Sequence, residues 1–150
     1  MGGKLISGAR SGQCLCGAVR YVAADLPGHI HACHCSMCRR WTGSAFLEID
    51  AIPGTLKSEG PVRIYESSDW AERASCGRCG SPLWYHLTAT GANYHAVSAG
   101  LFDDAAGFEL VNEIYIDRKP RGYAFAGVHP RLTEAEFEAA IAPPPEEETR

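Results

Sequence analysis

The sequence contains no apolar run long enough to cross a bilayer, and Met1 to Gly8 lack the apolar centre of a secretory leader. Both absences point to a cytoplasmic protein, in a compartment where thiols stay reduced. Basic residues are not in excess. Fourteen Lys and Arg against eighteen Asp and Glu leave a net charge of −4, so no nucleic-acid footprint is expected. Arg39-Arg40 is the only adjacent basic pair before Arg118-Lys119, and the simplest reading of both is solvated surface. There is no internal repeat and no linker-like stretch. A chain of 150 residues with 45% hydrophobic and 21% charged residues is expected to form one domain with a real core.

What is present is mostly β. Ala18–Val22, Ser44–Asp50, Val62–Glu66, Leu83–Leu87, Tyr94–Ser98 and Glu113–Asp117 show the alternation and β-branched content of short strands. Turn signals separate them at Pro27-Gly28, Pro53-Gly54, Gly60-Pro61 and Gly91. The expected fold is therefore all-β, a small antiparallel sheet domain with little helix. Ser36–Trp41 reads as one or two helical turns. Thr133-Glu-Ala-Glu136 reads as a capping box opening a short C-terminal helix that Pro143–Pro145 ends. The boundaries read as a lead-in over 1–10, a cysteine-bearing domain over 11–128, and a C-terminal helix with a disordered acidic tail over 129–150.

Chemistry concentrates in seven cysteines. Cys33, Cys35 and Cys38 lie within six positions. Cys14 and Cys16 precede them, and Cys76 and Cys79 follow. An odd count with tight spacings fits metal better than disulfides. Seven thiols divide into four and three: four close a tetrahedral zinc site, and three leave a position open. Cys14 and Cys16 must curl to share one ion, because residues two apart on an extended strand stand about 6–7 Å apart. Gly12 and Gly17 permit that curl. Cys76-Gly-Arg-Cys79-Gly80 reads as a zinc knuckle. Joining these two pairs gives a structural site that ties distant segments together and contributes folding free energy. The set Cys33, Cys35 and Cys38 then owns a second zinc, whose soft donors suit the exchange of a thiol.

Other readings of the same residues stay open. A histidine closing the second site as Cys₃His makes it inert. His31 is well spaced for that, His34 awkwardly so, and His86 or His95 can arrive from other strands. A single zinc with the other cysteines in the core, or an iron–sulfur cluster, is also compatible with the thiols. A closed second site favours a non-catalytic zinc module that binds a protein partner, and an open one favours an enzyme.

Three segments, Gly12-Gln-Cys-Leu-Cys-Gly-Ala-Val-Arg-Tyr21, Cys33-His-Cys-Ser-Met-Cys-Arg-Arg-Trp-Thr-Gly-Ser-Ala-Phe46 and Cys76-Gly-Arg-Cys-Gly-Ser-Pro-Leu83, resemble the glutathione-dependent formaldehyde-activating enzyme family, whose domain centromere protein V shares. The likeness runs from about Ser11 to about Phe125 and implies the all-β fold called a β-tent. It implies a structural zinc on Cys14, Cys16, Cys76 and Cys79, and a catalytic zinc on Cys33, Cys35 and Cys38. It implies a carbon–sulfur lyase that forms or breaks S-hydroxymethylglutathione. Glutathione is the expected small-molecule partner, with Arg39 or Arg40 holding a carboxylate, and a homodimer is the candidate assembly. The sequence departs from the family at Glu113, where a histidine is expected, and at Gly122-Tyr123, near an expected tryptophan. These changes bear on the substrate pocket rather than on the metal sites.

Overall fold

A computed structural model describes residues 8–89 and 94–143. The expected acidic tail, Glu146–Arg150, and the first seven residues lie outside the described residues, as does Gly91. Two sheets dominate. The smaller is built from β1 (Ala9–Gln13), β2 (Arg20–Ala24) and β5 (Lys57–Glu59), in the order β1-β2-β5. The larger contains β3 (His29–Cys33), β4 (Phe46–Ala51), β6 (Val62–Glu66), β7 (Ala71–Cys76), β8 (Pro82–Leu87), β9 (Tyr94–Ser98), β10 (Glu109–Ile114) and β11 (Arg131–Leu132). Its order is β11-β10-β3-β4-β9-β8-β7-β6. The all-β expectation holds. Pairings are antiparallel except β10 with β3 and β10 with β11, which are parallel.

Two of the expected strands, Val62–Glu66 and Tyr94–Ser98, match β6 and β9 to the residue, and Leu83–Leu87 and Ser44–Asp50 shift by two residues or fewer. The strand expected over Glu113–Asp117 instead ends at Ile114, where Tyr115 takes a left-handed conformation at φ +56° and a short 3₁₀ turn follows. The register with β3 extends this strand backwards to Glu109.

Strand alternation gives the larger sheet two chemically different faces. One presents Ile49, Ala51, Ala74, Trp84 and Val97 to the smaller sheet, which contributes Tyr21 and Ala23 to the main core. Here Tyr21 meets Phe102 edge-on at 5.3 Å, and Gly12 is required: a Cβ there would lie 2.6 Å from both the Leu101 carbonyl oxygen and the Tyr21 ring. The opposite face gathers Cys33, Phe46, Ala96 and Ile114. It is roofed by α1 (Ser36–Thr42), through Cys38 and Trp41.

The cap of α1 is itself part of the chemistry. Cys35 is the N-cap, its sulfur accepting from the Cys38 amide at 3.4 Å. Gly43, at φ +87°, ends the helix and donates to the Arg39 carbonyl. The expected capping box is present at Thr133 and Glu136, opening α2 (Glu134–Ile141), and Phe137 of α2 packs on Tyr115.

Candidate metal centres and active site

All seven cysteines are free thiols, and they form two groups. Within each group every sulfur lies within 4.8 Å of the others. The first group joins Cys14 and Cys16, from the turn after β1, to Cys76, the last residue of β7, and Cys79, from the turn that follows it. Cys14 and Cys16 sulfurs are 3.6 Å apart and Cys16 and Cys76 sulfurs 3.8 Å apart. A tetrahedral zinc held by thiolates at about 2.3 Å needs a spacing of about 3.8 Å. The curl expected at Cys14 is made by a turn in which Gly17, at φ +77°, donates to the Cys14 carbonyl. Backbone amides of Val19, Arg78 and Cys79 point at the Cys14 and Cys76 sulfurs at 3.3–3.4 Å, an arrangement that steadies anionic sulfur. The group also bridges the two sheets, since its pairs come one from each.

The second group is Cys33, at the end of β3, with Cys35 and Cys38 of α1. Packed thiols share protons unequally. Hydrogen bonding to Cys33 and Cys38 pulls the Cys35 thiol down to about 2, while hydrogen bonding to Cys35 and Cys38 pushes Cys33 up. A divalent cation is what lets three such sulfurs ionise together.

The surroundings fit that cation. Arg73 is buried, and its guanidinium lies 4.8 Å from the Trp41 ring centroid and 5.2 Å from that of Tyr85. Its two terminal nitrogens reach the Cys38 sulfur at 3.7 and 3.8 Å. Among the described residues no carboxylate forms an ion pair with it. A buried cation whose polar partner is a sulfur calls for that sulfur to be anionic.

None of the four candidate histidines joins this group among the described residues. His34 is fully buried, and its Nε2 lies 2.7 Å from Glu113. His31 does face the same side as Cys33, but its Nδ1 lies 2.7 Å from the Asn112 side-chain oxygen and its Nε2 3.7 Å from Asp50. His86 and His95 stack on each other at 4.0 Å, paired across β8 and β9 in register with Trp84 and Val97, on the opposite face of the sheet.

Acidic groups complete the wall. Register puts Glu48 opposite His31 and Phe46 opposite Cys33, so Glu48 is the diagonal neighbour of Cys33 on the same face. Such diagonals span roughly 7–8 Å. Burial and then the neighbouring Asp50 charge push the half-buried Glu48 carboxyl up to about 8, against a weaker downward pull from Arg73. Asp50 accepts from the Tyr94 hydroxyl.

Glu113 does not line this wall. It pairs with Ala32 and so faces away from Cys33, on the reverse of the sheet. There, 1% exposed, it is bonded to His34 Nε2 at 2.7 Å, His129 Nε2 at 2.7 Å and Arg131 Nε at 2.8 Å. Burial pushes its carboxyl up, but the His129 and His34 hydrogen bonds and nearby charge outweigh that and hold it below the usual range. Tyr123 packs beside His34 at 6.3 Å. Both departures noted in the sequence thus sit behind the thiol-bearing segment. Arg39 and Arg40 occupy the last turn of α1. Arg40 is exposed, whereas Arg39 is half-buried and its Nε has no partner. Away from both thiol groups, a depression lined by Ala9, Arg10, Ser11, Asp103 and Asp104 is already satisfied internally, Ser11 bonding Asp103 and Arg10 the Asp104 carbonyl.

A family model described as glutathione-dependent formaldehyde-activating enzyme matches residues 9–118. The chain belongs to that family. The match starts at β1 and covers both cysteine groups. An uncharacterised lyase of Schizosaccharomyces pombe is 33% identical over 131 residues, covering 87% of this chain and 95% of that protein. A Halomonas elongata protein, provisionally named a glutathione-dependent formaldehyde-activating enzyme, is 34% identical over 83 residues, 49% of this chain and 53% of its own length. A crystal structure of a Rhodobacter sphaeroides protein aligns with TM-score 0.53 at 18% identity, covering 81% of this chain and 98% of that one. That likeness concerns the fold. Among the described residues no helix is long and apolar enough to cross a membrane.

Proposed function

We propose that the protein is a zinc-dependent carbon–sulfur lyase with two ions per chain, acting on an adduct of a small thiol and an aldehyde. Glutathione and formaldehyde are the first pair to test, with S-hydroxymethylglutathione formed or broken. The observation that carries this is the three-thiol group without a fourth protein donor among the described residues, on a sheet face lined with ionisable groups. Cys14, Cys16, Cys76 and Cys79 would hold the structural ion, and Cys33, Cys35 and Cys38 the other. When bound, the second ion supplies a Lewis acid that favours the thiolate form of a substrate thiol.

The protein's own groups account for the rest. Forming the adduct makes one carbon–sulfur bond and moves the carbonyl π pair onto oxygen, which needs a proton. Glu48, held protonated near neutral pH, is the donor within reach of Cys33's neighbourhood, and the thiol's proton restores it. Breakdown runs the same transfers backwards. Trp41, Phe46 and Tyr85 keep water from the sulfurs. The unpartnered Nε of Arg39 offers a donor to a substrate carboxylate, with Arg40 beside it at the rim.

Exchange spectroscopy on glutathione–formaldehyde mixtures tests the reading against the spontaneous reaction. Wild-type protein should accelerate exchange in proportion to its concentration, and Cys35→Ser should not. Rates at background for both proteins would remove this substrate pair.

A further inference from the structure

Arg73 is not explained by packing alone. It enters from β7, a strand remote in sequence from the three-thiol segment, and buries a full charge against one sulfur. Burying a guanidinium is unfavourable unless an anion meets it. Glu48, the carboxyl on the same face, is the natural candidate, yet its own carboxyl is pushed towards the neutral acid, and no ion pair joins the two. The guanidinium instead lies over the Trp41 and Tyr85 rings, with both terminal nitrogens of its fork directed at Cys38. Lysine has no planar group to be held that way.

We propose that Arg73 is the positioning cation of the three-thiol group, fixing the Cys38 sulfur as a metal ligand and offsetting the group's negative charge so that a further anionic sulfur is accepted. The inference rests on the reading that Cys33, Cys35 and Cys38 hold a divalent ion. Three thiolates on such an ion leave one net negative charge, and an incoming thiolate makes it two. Against that repulsion, Arg73 supplies a fixed positive charge in a site of low polarity, where charges interact more strongly than in water. Its contact with Cys38 also draws electron density from that sulfur. Cys38 is thereby kept as a ligand rather than as a nucleophile towards the aldehyde. Arg73 acts through Cys38 and through charge. It need not touch the carbon that reacts.

The test uses the full chain, reduced and reconstituted with cobalt(II) or zinc, as wild type, Arg73→Lys and Arg73→Met. The electronic spectrum of the cobalt protein reads the sulfur-to-metal charge-transfer bands directly. Chelator competition reads affinity for the more weakly held ion. Titration with glutathione, followed in the cobalt bands, reads acceptance of a further sulfur. Arg73→Met should shift the charge-transfer bands, weaken the second ion about tenfold or more, and weaken glutathione at least as much. Arg73→Lys, which keeps the charge but loses the planar two-nitrogen fork, should show an intermediate loss of about threefold or more. Steady-state kinetics should put the larger change in KM for the thiol rather than in kcat. Bands and affinities within twofold of wild type in both variants would overturn the proposal. If Arg73→Met does not fold, the same result in Arg73→Lys alone overturns it. A wild type that binds only one ion would instead bring down the underlying reading of the site.

Discussion

Removing one thiol from each cysteine group should cost very different amounts of stability. The informative pair is Cys79→Ser and Cys35→Ser. Serine at 35 keeps an N-cap acceptor for α1, so loss of the cap does not contaminate the comparison. The four-thiol group closes a long loop, with Cys16 and Cys76 separated by 60 residues. Treated as a cross-link of the unfolded chain, a closure of that length is worth about 4 kcal/mol, whereas one of about six residues, as between Cys33 and Cys38, is worth about 2 kcal/mol. The difference of about 2 kcal/mol translates to a Tm gap of about 4–8 °C in a domain of this size. Cys79→Ser additionally frees the edge between the two sheets, which the first group bridges, so the gap should lie towards the upper end. The measurement is thermal unfolding followed by circular dichroism, in reductant and with zinc in modest excess. Metal analysis of the same samples should find one ion in Cys35→Ser. Equal losses in the two variants, or a larger loss in Cys35→Ser, would refute the assignment of a stapling role to the four-thiol group.

Other outcomes follow from particular contacts. Glu113→Ala leaves His34, His129 and Arg131 facing an empty site and should cost about 3–5 kcal/mol, measured by urea unfolding; Glu113→Gln should cost less. Glu48 has a folded pKa raised to about 8, so the stability it confers is complete below its unfolded value and is lost as pH rises through about 8. Glu48→Gln should therefore gain on wild type between pH 6 and pH 8.5, by about 2 kcal/mol once solvent access to this half-buried group is allowed for, and unfolding curves across that range check it. Gly60→Ala should be strongly destabilising: Gly60 sits at φ +103°, and a Cβ there would lie 2.0 Å from the Ala18 carbonyl oxygen. Its melting temperature, set against that of Gly54→Ala, which strains φ but meets no atom, separates the clash from the strain.

The parts of the fold that were legible in the sequence are those where a local signal and the tertiary context agree. β6 and β9 alternate cleanly and are bounded by turns, and Thr133 with Glu136 announces α2. The strands that went unread carry no such signal. Ala71-Glu-Arg-Ala-Ser-Cys76 has helix-favouring residues, yet it pairs on both sides within the sheet, and Arg73 is a poor strand residue until its partner Cys38 is known. His29-Ile-His-Ala-Cys33 reads as metal chemistry, and nothing local says that it is a central strand. In both segments, long-range pairing overrides local propensity.

The same division explains what could be read of the site. Cysteine spacing separates four thiols from three because ligand geometry is a local constraint, and the sulfurs lie where that spacing requires. The groups that tune the second set come from β4, β7 and β10, and their relevance is fixed by register alone. Glu48 matters because Phe46 opposes Cys33, so that a shift of one residue would turn Glu48 to the other face and bring Leu47 to the sulfurs instead. Glu113 shows the converse. Its position along the chain suggests a pocket residue, but pairing with Ala32 turns it to the back of the sheet, where it secures His34 between two of the thiols. The three-thiol segment is thus held from behind by Glu113 and met from the front by Arg73. His34, awkwardly spaced for a fourth ligand, is bonded to Glu113 behind the sheet and so is held away from the sulfurs, which is what the proposed open position beside Cys33, Cys35 and Cys38 requires.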